Sequence, residues 1–156
     1  MTRLLGEKGR YDLEYRLLSS EKANSFGSMM HAGASTLWEY WSDCEYQRSL
    51  NHPMFGAAAK QLFYDALGFR QVEGSAGWRK VRIKPGFMDW LPQAEGHIIT
   101  PLGRLAVSYR KTLTGTEITA DIPDGMQADL VVGGKTTIVL KAGRNVYTFN
   151  GLCQAF

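Results

Sequence analysis

The chain has 156 residues, the size of one ordinary domain or two very small ones. Eighteen lysines and arginines against 15 aspartates and glutamates leave a net charge of +3 with no basic stripe, which excludes an electrostatic case for nucleic acid. At 44% hydrophobic and 21% charged the sequence is that of a packed globular chain, and no apolar run approaches the roughly 20 residues of a membrane span.

The first 12 residues, MTRLLGEKGRYD, hold no apolar core before a small-residue cleavage site, so no secretory signal is visible and the cellular location is left open. Two cysteines, Cys44 and Cys153, are too few for a disulfide framework. The first predicted helix runs from Tyr11 to Leu18. Tyr11, Tyr15 and Leu18 share one stripe, Leu13 and Leu17 lie on a neighbouring one, and Asp12 and Arg16 are expected to pair on the outside.

The stretch from Ser25 to Asn51 is long, weakly periodic and rich in tryptophan, tyrosine, histidine and acid, a composition that connecting segments carry when they serve a site. Glu39 stands between Trp38 and Trp41. A carboxylate bracketed by aromatic rings suits sugar cleavage, because pyranose faces stack on rings while the carboxylate handles hydroxyls or activates water. The competing reading makes Trp38 and Trp41 a core pair at helical spacing, with Glu39 on the wet face. Asn51 and His52 divide the same way, between capping the next helix and reaching a substrate hydroxyl.

That next helix is the clearest element. Phe55, Ala58, Ala59, Leu62, Phe63, Ala66 and Leu67 form one apolar face, Lys60, Gln61 and Asp65 stay off it, Pro53 suits its first turn and Gly68 its left-handed stop. Helices this apolar, in fewer than 70 residues, cannot cover one another. They pack on the sheet or belong to a larger helical body.

From Gly68 onward come 12 of the 17 glycines, and the apolar period becomes two. Strands are expected over Lys80–Lys84, Leu105–Tyr109, Ile118–Ile122, Leu130–Val132, Thr136–Leu140 and Val146–Phe149, with Gly133-Gly134 as a hairpin turn. Their close spacing predicts an antiparallel β-sandwich. His31 and His97 are expected on the surface or in loops. Three histidines and two cysteines at residues 31, 44, 52, 97 and 153 show no metal-ligand spacing, and no phosphate loop or nucleophile elbow is present, so neither metal nor cofactor is expected.

GASTLWEYW (Gly33 to Trp41) followed by SLNHPMFG (Ser49 to Gly56) resembles the end of the catalytic domain of bacterial α-L-rhamnosidases, where a pattern close to G-A-T-T-[LI]-W-E-R-W precedes S-x-N-H-x-x-F-G and a helix. GWRKVRIKP (Gly77 to Pro85) resembles the opening of that family's final sandwich. The likeness implies an α+β fragment: residues 1–70 as the last helices of an (α/α)6 toroid and residues 71–156 as the C-terminal β-sandwich. It implies an enzyme that cleaves terminal α-linked L-rhamnose with inversion, on rhamnose-containing glycosides. Glu39 corresponds to the general base. His52, beside Asn51, corresponds to the sugar-contacting histidine, and Trp38 and Trp41 line or support the subsite.

Three departures stand out. Tyr40 replaces the usual arginine. The gap between the motifs is short, with a loop lost near Cys44 to Arg48. The family's general acid belongs to an upstream region, so the chain is expected to be inactive without the missing N-terminal part of the same protein. The uncovered faces around Phe55, Leu62 and Phe63 lead to an expectation of self-association or of a mobile N-terminal third. Two other classes stay open: a non-catalytic carbohydrate-binding or interaction module, and an unrelated α+β domain whose tryptophans are all core.

Overall fold

A computed structural model of the chain describes residues 2–41, 49–133 and 136–150, leaving the side chains of residues 2, 3, 61 and 62 outside that description. The shortened gap near Cys44 to Arg48, Cys153, Gly134 and the Leu62 side chain therefore lie outside the described residues. The chain divides into two compact units, Met1–Gln61 and Leu62–Phe156. No described helix is long and apolar enough to cross a membrane.

The first unit opens with three short helices, α1 (Thr2–Glu7), α2 (Tyr11–Leu18) and α3 (Phe26–His31). The α2 boundaries match the periodicity, but its faces do not. Glu14 is fully buried while Tyr15 is exposed. Asp12 pairs with Arg10 at 2.9 Å rather than with Arg16, because Arg10 at the helix start lies two residues away and reaches both carboxylate oxygens. Helix α3 begins on a reciprocal cap in which Ser25 and Ser28 each accept the other's main-chain N–H at 3.1 Å.

The expected helix over Phe55–Leu67 is three pieces: a 3-10 turn (Pro53–Gly56), α4 (Ala57–Leu62) and a π-helical turn (Phe63–Leu67). The wider π turn rotates the side chains that follow it. Phe63 ends 46% exposed, whereas Asp65, expected on the wet side, is completely buried beside Ala66 and Leu67. Its carboxylate survives burial by pairing with the Arg70 guanidinium at 2.6 Å. Gly68 ends the segment in the left-handed conformation, φ +76°, with its Cα so close to Lys84 and Pro85 that a side chain would collide with their backbone.

The second unit is a two-sheet sandwich. Strands β1 (Phe69–Gln71), β2 (Lys80–Ile83), β6 (Gln127–Val132) and β7 (Thr136–Leu140) form one sheet, in the order β1-β2-β6-β7. Strands β3 (Gln93–Thr100), β4 (Gly103–Lys111), β5 (Gly115–Ile122) and β8 (Gly143–Asn150) form the other, in the order β3-β4-β5-β8. Alternate residues face inward, so Val81, Ile83, Ala128, Leu130 and Leu140 of the first sheet meet Leu105, Val107, Tyr109, Ile118 and Ala120 of the second in one core. Every neighbouring pair is antiparallel except β2 and β6, which run parallel because the chain crosses to the opposite sheet for β3–β5 before returning.

Two strands carry no readable pattern. β1 is only three residues long. In β3 the inward positions are Ala94, Gly96, Ile98 and Thr100, too small or polar to give a strong period of two. Gly96 is there because the Leu67 and Phe63 side chains occupy the space a Cβ would take. His97 is exposed, as expected, but lies on this strand rather than in a loop.

Candidate functional site

The two motifs are separated by seven residues yet lie side by side, and main-chain chemistry puts them there. After α3 the chain turns through Gly33, whose N–H bonds the Met30 carbonyl at 3.0 Å, and runs on without helical structure to Trp41. The Glu39 N–H donates to the Ser49 carbonyl at 3.0 Å and the His52 N–H donates to the Leu37 carbonyl at 2.7 Å. The Thr36 hydroxyl adds a bond to the Leu50 carbonyl. These three contacts clip residues 36–39 against residues 49–52, so the backbones carrying Glu39, Asn51 and His52 are neighbours.

An aromatic cluster holds the far end of the same loop. The Trp41 ring lies 4.2 Å from that of Phe55 and meets Phe26 edge-on at 5.2 Å, with Phe26 and Phe55 also edge-on at 5.9 Å. Trp38 is buried at 6% exposure. The two tryptophans are thus not a pair on one helix, since the segment is not helical; one is buried in the unit and the other belongs to the Phe26–Phe55 cluster.

The polar side chains are left with capacity. Glu39 and His52 are half-buried and Asn51 is exposed. His52 occupies the cap position ahead of Pro53 with extended backbone, φ −114° and ψ 123°, but its imidazole makes no capping bond. Among the described residues neither the Glu39 carboxylate nor the His52 ring enters an ion pair or side-chain hydrogen bond. His31 lies at the surface, 3.4 Å from Glu21. No three described histidine, cysteine or acidic side chains are grouped to hold a metal ion.

Phe26 and the backbone clip were not singled out from sequence. The only trace of the first is the Ser25-Phe-Gly-Ser28 cap, and the second involves main-chain atoms that any residue supplies. Two cavities, of about 370 and 470 Å3, open on the outer face of the second sheet, and Glu39, Trp38, Trp41 and His52 line neither.

Comparison with known proteins gives a consistent set of likenesses. Residues 1–67 match the family model of the bacterial alpha-L-rhamnosidase 6 hairpin glycosidase domain, and residues 68–146 match that of the bacterial alpha-L-rhamnosidase C-terminal domain. An alpha-L-rhamnosidase of Alteromonas sp. (strain LOR) is 31% identical over 144 residues, which is 87% of this chain and 15% of that protein. One from Formosa agariphila is 25% identical over 156 residues, 95% of this chain and 17% of its own length. The chain therefore spans about a sixth of the length of these curated relatives. Among solved structures, the alpha-L-rhamnosidase of Dictyoglumus thermophilum superposes with a TM-score of 0.85 at 21% identity, over 96% of this chain and 20% of that one. That of Streptomyces avermitilis, solved in complex with L-rhamnose, superposes with a TM-score of 0.73 at 21% identity, over 95% and 16%.

Proposed function

The chain belongs to the bacterial α-L-rhamnosidase family, and from that premise we propose that it is the base-bearing end of an enzyme releasing terminal α-L-rhamnose with inversion. In this reading residues 1–70 are the last helices of the catalytic (α/α)6 domain and residues 71–156 its C-terminal sandwich. Glu39 is the general base. It takes a proton from a water whose oxygen attacks the anomeric carbon, while an acid roughly 6.5–9.5 Å away protonates the departing oxygen on the opposite side. Both lone-pair-bearing oxygens of an unpaired carboxylate are free for that task. His52 and Asn51 hydrogen-bond the sugar hydroxyls, and Trp38 and Trp41 support the subsite.

The observation that carries the reading is the backbone clip, which sets Glu39 next to Asn51 and His52 while leaving the Glu39 carboxylate and His52 imidazole without partners among the described residues. Support for larger surroundings comes from exposure: Leu4, Met30, Leu50 and Met54 of the first unit are each more than half exposed. The acid belongs to the part of the longer protein that precedes these helices, so the 156-residue chain by itself is inactive and self-associates through those faces.

The test is Glu39→Gln in the longer protein. Turnover of an aryl α-L-rhamnoside falls by roughly 10²–10⁴-fold, rhamnose affinity is retained, and the wild-type product appears first as the β anomer by proton NMR. Hydrolysis near the wild-type rate removes Glu39 from the mechanism, and an initial α anomer removes inversion.

A further inference from the structure

The two cavities on the sandwich share residues and form one open groove along the outward side of β3, β4 and β5, extending to Arg144 of β8. Residue size shapes it. Where the strands lie side by side, Ala106, Ser108 and Thr119 present small side chains at the centre, so the face is hollow between longer ones. Glu95 stands opposite Ser108 in the β3–β4 register, and Asp121 stands opposite Arg144 in the β5–β8 register. Although Asp121 and Arg144 are direct cross-strand neighbours of opposite charge, neither forms a salt bridge, and Glu95 likewise has no partner among the described residues.

We propose that this groove binds a neutral saccharide chain. Three guanidinium groups (Arg104, Arg110, Arg144) and three carboxylates (Glu95, Glu117, Asp121) line the groove beside the His97 imidazole, so the guanidinium and carboxylate charges cancel and the field draws neither a polyanion nor a polycation strongly. Donors and acceptors alternate across it, with the Ser108 and Thr119 hydroxyls able to serve as either. Vicinal sugar hydroxyls match that alternation, each accepting from a guanidinium while donating to a carboxylate. Among the described residues the His97 imidazole, exposed on β3, is the one ring beside the groove, since Tyr109, which borders it, is buried in the core. The exposed Ile99 and Val146 side chains, on the same outward face, offer aliphatic contact for the C–H surface of a sugar ring. A volume of about 370–470 Å3 lies within the range of small-molecule sites.

The site is independent of Glu39; only the choice of probe borrows from the family reading. The 15N-labelled 156-residue chain is titrated with an α-L-rhamnosyl-D-glucose disaccharide, and in parallel with inorganic sulfate. The disaccharide produces saturable shifts at the Glu95, Ser108, Thr119 and Arg144 amides with millimolar affinity, sulfate does not, and Arg144→Met and Asp121→Asn each weaken binding about tenfold or more. A Ser108→Trp variant, which fills the floor, abolishes the shifts while leaving the remaining spectrum in place. Glu39→Gln leaves them unchanged, which separates this proposal from the assignment of the base. Absence of saturable shifts at those four amides overturns the proposal, as does an equal response to sulfate.

Discussion

The Asp65–Arg70 pair is asymmetric in a way that sets a measurable inequality. Asp65 has no exposed side-chain surface, whereas Arg70 keeps 36% of its own and lies 4.6 Å over the Tyr64 ring. Arg70→Met takes the guanidinium away from a buried carboxylate, a loss of about 3–5 kcal/mol for a broken buried pair. Asp65→Asn leaves a neutral oxygen that still accepts from Arg70, and the guanidinium remains partly hydrated, so the cost is about 1–2 kcal/mol. The difference is about 2 kcal/mol, and at roughly 4–8 °C per kcal/mol for a unit of this size it separates the two midpoints by about 8–16 °C. Urea and thermal unfolding, followed by the fluorescence of Trp78 and Trp90 in the second unit, read it directly. The Asp65→Leu/Arg70→Met double variant is expected to be more stable than Arg70→Met alone, since it also removes the buried charge. If Asp65→Asn proves as damaging as Arg70→Met, or the double variant is simply additive, the carboxylate is not held by Arg70 and the argument fails.

Gly68→Ala and Gly74→Ala form a matched test, because both glycines have φ +76° but only Gly68 faces backbone, the Gly74 position opening on empty space. Gly74→Ala is expected to cost about 1–2 kcal/mol for the left-handed conformation alone, and Gly68→Ala about 2–5 kcal/mol once Lys84 and Pro85 must move. Equal urea midpoints refute the close approach. Burial pushes the Tyr109 hydroxyl up to about 12 from its ordinary 10. A raised pKa means the fold favours the neutral form, so the stabilisation is complete below pH 10 and is lost as pH rises through 12. Ultraviolet titration is expected to show one tyrosine ionising about two units late, and Tyr109→Phe to remove the stability loss in that window. A normal midpoint at 10 for every tyrosine contradicts the burial.

What could be read from the residues depended on whether one element's pattern was self-contained. β4 and β5 announce themselves because Leu105, Val107 and Tyr109, then Ile118 and Ala120, are large or apolar on one face and polar on the other. β3 does not, because its inward positions are small or polar, Gly96 among them making room for Leu67 and Phe63. The same holds for Asp65. Nothing local distinguishes it from a solvated aspartate; its burial depends on a π turn before it and an arginine five residues after it. The parallel β2–β6 pairing is a property of the path between sheets, which no single strand encodes. Gly68 was legible because a helix stop is a local requirement.

The Glu39 loop combines both cases. The proposal that Glu39 and His52 serve one site rests on the resemblance of two motifs; the spacing alone favoured a core pair of tryptophans and left a helix cap open. The structure supplies a physical account of why the motifs travel together. Their alignment rests on main-chain bonds from Glu39 to Ser49 and from His52 to Leu37, which tolerate many side chains at Leu37 and Ser49. The alignment is then anchored by rings that tolerate few, because Trp41 must meet both Phe26 and Phe55. In the proposed role of base, Glu39 has to be placed to within a fraction of an ångström, since a misplacement of 1 Å can cost about 100-fold in rate. The aromatic positions around Trp41 therefore carry information about a carboxylate they need not touch.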